Sequence, residues 1–447
     1  MDRKILSFFS KWQVSPIRTP LIVRGARQVG KSHAIRMFGK QNFSHFLEVN
    51  LETQPQYSGA FASRQTKEIC QQLSALSREK IVPGKTLLFI DEIQSSTDAL
   101  IALRSFKEDL PELHVISAGS LLEFALQDEL APSFPVGRVS FAYMNPLSFL
   151  EFLHALGEGL LVEMVESATI ASPVPAPIHA RLLELLRVYF QTGGMPEVVE
   201  TYRLNQNFLD AQRIQNRLVT AFIADFSKYG RKYDYRKLQQ ILTSAPKLVG
   251  KTFKYSFVDK DVKARDLKLP LLDLERAGLL RRVRATSANG LPLGAEEKID
   301  KFKIQTLDIG LMLNSLGLNI FSEQSDNVLF ANEGSLAEQF VGQELLTCLD
   351  PEQRLDLFYW CREVEGASSE VDFVLQVNNN IIPIEVKAGA TGSLKSLRQF
   401  MLDKKSKLGI RFSQHPLSIQ DKLVSIPMYM VQQSARLIES ALGVESA

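Results

Sequence analysis

Residues 25–32 read GARQVGKS: Gly25 and Gly30 bracket four residues, and Lys31 and Ser32 follow at once. The chemistry of that spacing is anion capture. Glycines let a backbone curl until successive N–H groups, here those of Gly25, Ala26, Arg27, Gln28, Val29, Gly30 and on to His33, face one phosphate chain. A helix starting at Lys31 would add its positive end. Lys31 could then reach the outer phosphates of a nucleotide, and the Ser32 hydroxyl could ligate Mg²⁺. A second group of reactive side chains ends the apolar run TLLFIDE at 86–92. At the carboxyl end of a buried strand, Asp91 would hold the Mg²⁺ shell and Glu92 would polarise an attacking water as general base. Both segments predict a site for ATP and Mg²⁺. Ser120, at the tip of VISAGS, is the candidate hydroxyl for the terminal phosphate.

A third constellation lies far downstream, in EVDFVLQV-NNN-IIPIEVK. Side chains alternate along a strand, so Glu385 and Lys387 share one face. Asparagines tolerate positive φ, which makes the NNN run a hairpin turn. A loop of Asn378–Asn379 pairs residues whose numbers sum to 757 and sets Asp372 opposite Glu385. A loop of Asn379–Asn380 sets Asp372 opposite Lys387, on that same face. Two carboxylates and a lysine so arranged can bind a divalent metal and steer a water at phosphorus. An edge hairpin with cross-strand ion pairs is the plainer reading of the same residues.

Between Lys228 and Arg284 there are 16 Lys/Arg against 6 Asp/Glu, a local +10, although the whole chain carries 52 − 50 = +2. Such a segment suits a phosphate backbone, with Lys263, Arg265, Lys268, Arg281 and Arg282 as the contacts and DNA or RNA as the partner. It equally suits a spacer that packs on another part of the chain.

These residues need a scaffold. LIVRG (21–25), FLEVN (46–50), TLLFIDE (86–92) and ELHVISAGS (112–120) read as buried strands. They alternate with helical segments at Lys31–Lys40, Thr66–Arg78 and Thr97–Leu110. Alternation of this kind predicts an α/β fold whose parallel sheet is covered by helices on both faces. ASPVPAPIHA (171–180) reads as a linker, the following stretch as mainly helical, and the last third as mixed helix and strand. A helix over Tyr235–Ser244, then VKARDLKLPLLDLERAGLLRRV (262–283) as a second helix closed by a turn and followed by a strand, outlines a winged helix.

GARQVGKS, LLFIDEIQ, ISAGS and FPVGRVSFAYMNPLSFLEFL together resemble a prokaryotic AAA-type (STAND-like) P-loop ATPase family. Its members carry a helical and winged-helix middle and a C-terminal PD-(D/E)xK, restriction-endonuclease-like domain. The resemblance implies three parts: an ATPase domain over 1–170, a helical and winged-helix region over 181–300 and a nuclease-like domain over 301–447. It implies that Arg138 touches phosphate or a neighbouring domain, and that Glu338 joins Asp372 and Glu385 as a metal ligand with Lys387 catalytic. AAA-type sites often borrow an arginine from a neighbour, so a homo-oligomer is compatible. The expected function is ATP hydrolysis coupled to a nuclease-like domain in nucleic-acid handling. The alternative is an ATP-driven switch that remodels a protein partner and carries an inert C-terminal domain.

Composition sets the outer bounds. Over 447 residues, 45% hydrophobic and 23% charged content excludes a disordered chain or a collagen. Three scattered cysteines exclude a disulfide framework and fit a reduced cytoplasm. No uncharged apolar run is long enough for a bilayer, so no membrane partner is expected. Six histidines without metal-ligand spacing argue against zinc.

Overall fold

The computed structural model describes residues 3–119, 137–229, 234–319, 325–348, 350–353, 356–362, 369–389 and 393–444. It divides into two compact units. One ends at Asn145 and takes in a short return segment at Asp350; the other begins at Pro146.

The first unit is built on five strands: β1 (Leu21–Arg24), β2 (His45–Asn50), β3 (Thr86–Asp91), β4 (His114–Ala118) and β5 (Ser140–Tyr143). Their order is β2-β3-β4-β1-β5, and every pairing is parallel. The central strands are buried along their length, which is why they read as continuous apolar runs rather than alternating ones. One face carries α1 (Lys4–Val14) and α2 (Lys31–Asn42), with Phe9 and Phe38 ring to ring at 5.3 Å. There α2 presses close to the sheet: a Cβ on Gly39 would sit 2.3 Å from the Phe46 ring. The other face carries α3 (Thr66–Ser77) and α4 (Thr97–Asp109), whose Ile69, Leu73, Leu100, Leu103 and Phe106 pack on Ile22, Val49, Leu88 and Ile90. The expected α/β layering is therefore present. β5 was not anticipated; it is four residues long and only Ala142 is fully buried, so it leaves little pattern.

The second unit opens with helices α5 (Phe149–Ala155), α6 (Gly159–Ser167), α7 (Ala176–Thr192), α8 (Pro196–Asn205), α9 (Phe208–Tyr229), α10 (Arg236–Ser244) and α11 (Ala264–Arg276). The 171–180 segment, read as a linker, is helical from Ala176. Pro175 caps α7 and Pro177 stands in its first turn, where a missing N–H costs nothing. There follow β6 (Leu280–Thr286), β7 (Glu297–Thr306), α12 (Ile309–Ser315), α13 (Ser325–Leu345), β8 (Leu357–Cys361), β9 (Glu370–Val377), β10 (Asn380–Val386), α14 (Lys395–Lys404), β11 (Gly409–Ser413), β12 (Ser418–Gln420), β13 (Leu423–Pro427) and α15 (Ser434–Val444). The strands form one mixed eight-stranded sheet, β12-β13-β11-β10-β9-β8-β6-β7. The hairpin β6–β7 thus continues the sheet of the last third of the chain. The sequence-based boundary at 170 falls inside this unit, and that at 300 falls within β7 itself. An aromatic cluster of Phe149, Phe152, Tyr189 and Phe340 ties the entering helices to α13.

Candidate functional site

β1 delivers the chain to a tight loop at the carboxyl edge of the first sheet. Gly25 lies at φ +146°, where a Cβ would meet the Met144 carbonyl oxygen at 2.2 Å. Gln28 and Gly30 are left-handed, at φ 65° and 96°, so the loop curls back before α2 begins at Lys31. No side chain caps that helix. Its first-turn N–H groups, which have no partner within a helix, are thus open to an external anion.

Lys31 turns inward. Its ammonium donates to Gly25 O at 2.9 Å and Ala26 O at 2.8 Å, and the residue is 8% exposed. Burial pushes its pKa down to about 8, against the pull of Glu92 and Asp91. The Ser32 hydroxyl donates to both Asp91 oxygens, at 3.0 and 3.2 Å. Asp91 ends β3 in register with Asn50, the last residue of β2. The Asn50 amide reaches Asp91 Oδ2 at 3.4 Å, and Arg36, bonded to Glu48, lies 3.9 Å from that oxygen. Burial raises the Asp91 pKa, with the Ser32 hydrogen bond opposing it. Glu92 is left-handed at φ 50°, and its carboxylate accepts from Gln94 Nε2 at 2.6 Å. A Cβ on Gly119 would lie 2.1 Å from Gln94 Oε1, so the end of β4 leaves room for Gln94 to serve Glu92.

The donor set fits a magnesium nucleotide. A hydroxyl and a carboxylate converge on one point as hard oxygen ligands, beside an ammonium and open amides. Lys31, Ser32, Asp91 and Glu92 are brought together as the spacing predicted. His33 is on the exposed side of the first turn. Ser120 lies outside the described residues, and Ser117 donates to Leu21 O at 3.3 Å inside the sheet. Arg138 is not brought to the loop. It precedes β5, whose Ser140 pairs with Leu21 at the amino edge of the sheet, opposite the loop, and it bonds Glu108 at 2.9 Å. Asn50, Arg36 and Gln94 escaped the sequence reading. Only strand register could have pointed to Asn50.

In the second unit the hairpin has the two-residue turn Asn378–Asn379, with Asn380 opposite Val377 and Ile384 opposite Phe373. These pairs sum to 757, which sets Asp372 against Glu385. Val386 N donates to Asp372 at 2.8 Å, and Lys387 donates to Glu385 at 2.6 Å. Glu338, from α13, does not join them as a third ligand. It accepts at 3.0 Å from Lys303, a β7 residue that sequence reading passed over. Among the described residues no three Asp, Glu, His or Cys side chains stand as a metal-binding group.

Lys263, Arg265 and Lys268 are exposed at and beyond the start of α11. Arg265 and Lys268 lie in ion-pair reach of Asp266 and Asp300, at 3.4 and 3.8 Å, and Arg282 is more buried, paired with Glu275 and stacked over Phe302 at 5.4 Å. Arg281 is half-buried on β6 and also has an interaction partner. Among the described residues no helix is long and apolar enough to cross a membrane.

A parallel sheet with a glycine-curled loop after one inner strand, and a carboxylate at the end of another, is the architecture of a P-loop ATPase. Residues 18–153 match the AAA domain family model. Residues 183–322 and 333–430 match two domains of unknown function (DUF8612 and DUF4143). No curated protein matches the chain. Among solved structures, the Walker-type ATPase PABY2304 of Pyrococcus abyssi is similar at 14% identity and a TM-score of 0.45, over 70% of this chain and 95% of that one. The Aeropyrum pernix ORC1 protein in complex with DNA is similar at 13% identity and a TM-score of 0.27, over 70% and 90%. The Thermotoga maritima RuvB Holliday junction branch migration motor is similar at 14% identity and 0.26, over 63% and 88%. The fold reading rests on the AAA match and on the geometry above.

Proposed function

We propose that the first unit hydrolyses ATP with Mg²⁺ and that the second handles nucleic acid under control of that cycle. The observation that carries this reading is the Ser32–Asp91 pair set beside a desolvated ammonium at the mouth of an uncapped helix. Bound Mg²⁺–ATP would supply the activated phosphoanhydride. Lys31 offsets charge on the outer phosphates, and Ser32 and Asp91 hold the metal side of the pocket. Glu92, oriented by Gln94, takes a proton from the water whose oxygen bonds the terminal phosphorus as the bridging bond to ADP breaks.

A covalent route for coupling starts in the loop. Arg3 donates to Val29 O at 3.1 Å and to Asn145 O at 2.7 Å, while Met144 N donates to Arg24 O at 2.8 Å. A few residues on, Leu147 O accepts from Tyr189 at 2.5 Å and Phe149 N donates to Glu344 at 3.1 Å. Loop movement therefore acts on a segment fastened at both ends.

The exposed Lys263, Arg265 and Lys268 support phosphate-backbone binding through a winged-helix-like arrangement of α10, α11 and β6–β7. The test is nucleic-acid affinity across salt for the wild type and for K263E/R265E/K268E. Losing three phosphate contacts should lower the log–log salt slope by about 3 and abolish stimulation of ATP turnover. A triple variant that binds like wild type overturns this half of the proposal. Cleavage is left out of it, because Lys303 sits among the carboxylates that a nuclease metal would need. That lysine favours the alternative of a protein-remodelling switch over a nuclease, and the alternative predicts ATP turnover indifferent to nucleic acid.

A further inference from the structure

The acidic cluster on β9, β10 and α13 already contains a cation. Lys303 is 0% exposed, and its ammonium lies 3.0 Å from Glu338 Oε1, 2.6 Å from Glu370 Oε1 and 3.9 Å from Asp372 Oδ1. It also sits 5.2 Å from the centre of the Tyr359 ring, whose face favours a cation. We infer that the Lys303 ammonium holds the place of a divalent metal here, so that this nuclease-like face is a metal-free ion cluster.

Three physical arguments support the inference. The first is geometry. The Lys303 ammonium lies at hydrogen-bond distance from Glu338 and Glu370 and in ion-pair reach of Asp372, so the space between these carboxylates is already filled by a cation. The second is charge. Lys303, itself out of contact with water, already offsets the acids around it, and a divalent ion set among the same carboxylates would stand against that ammonium and against Lys387. The third is that the side chain cannot leave easily, because it is rooted in a paired strand and an ammonium drawn out of the cluster would lose the acids that hold it.

This inference does not depend on the ATPase reading. Its test is Mn²⁺ binding to the full chain without nucleotide, counted by electron paramagnetic resonance. Wild type and D372N should bind the same number of ions. K303Q should gain one per chain, and K303Q/D372N should lose it again. Mn²⁺ bound by wild type and lost in D372N would overturn the inference, as would a folded K303Q that gains none. If K303Q does not fold, the comparison of wild type with D372N decides alone: equal binding supports the claim and loss sinks it.

Discussion

Glu344 gives a quantitative handle on the segment that leads from one unit into the next. It is 1% exposed and accepts from Phe149 N, and burial pushes its pKa from 4.5 up to about 8. Below pH 4.5 the carboxyl is protonated both folded and unfolded, and it contributes no pH dependence. Between 4.5 and 8 the folded state keeps the proton while the unfolded state loses it. The folded state therefore binds more protons, and stability falls as pH rises, by up to 1.36 kcal/mol per unit. Over the 8 − 4.5 = 3.5 units between those values the loss is at most about 5 kcal/mol. Glu344→Gln, which mimics the protonated form, removes that term. The stability difference, variant minus wild type, should then grow by up to about 5 kcal/mol from pH 4.5 to 8 and stay flat above. Trp12 and Trp360 are the two tryptophans. With Trp12→Phe in the background, Trp360 fluorescence reports urea unfolding of the second unit alone. Parallel stability curves for variant and parent across this range would refute the reasoning.

Lys31→Ala removes two buried charge-assisted hydrogen bonds within the loop and the cation facing the phosphates. ATP affinity should fall by roughly a hundredfold or more, measured by fluorescent-nucleotide titration, with the fold retained by circular dichroism. Gly25→Ala places a Cβ 2.2 Å from the Met144 carbonyl oxygen, at a φ that alanine does not tolerate. It should lower the thermal transition of the first unit and weaken ATP binding together; a variant with unchanged melting would mean that the loop is looser than described. Arg3→Ala, which unties Val29 O from Asn145 O, should leave ATP binding within a few fold but diminish any stimulation of turnover by nucleic acid. Equal stimulation in that variant would remove Arg3 from the coupling route.

Where local chemistry decided structure, the sequence was a good guide. LIVR, TLLFID and HVISA are buried on both faces, so their apolar runs marked the strands, and the glycines of GARQVGKS marked the loop between strand and helix. The hairpin turn in the NNN run and the shared face of Asp372, Glu385 and Lys387 followed from turn chemistry and the two-residue period, whereas the choice of Asn378–Asn379 over Asn379–Asn380 came only with the structure, where Asn378 adopts φ 52°. Long-range placement was not legible. Arg138 is near the AAA motifs in sequence, but a parallel strand enters and leaves at opposite edges of a sheet, and this arginine is at the entry. Lys303 lies in EKIDKFKIQT, which reads as an ordinary half-solvated strand; its buried state depends on acids contributed by α13 and β9, separated from it by 35 residues or more. The expected break at 300 failed to mark a sheet edge because strand pairing, unlike composition, crosses it.

The central claim is that the Lys31, Ser32, Asp91 and Glu92 pocket turns over ATP. It is tested most directly by steady-state phosphate release with Mg²⁺, measured beside equilibrium ATP binding, for wild type and Glu92→Gln. The account predicts ATP binding unchanged and hydrolysis reduced roughly 10²- to 10⁴-fold, the range for loss of a general base. Hydrolysis by Glu92→Gln at the wild-type rate, or wild-type turnover that persists without any divalent cation, would contradict it.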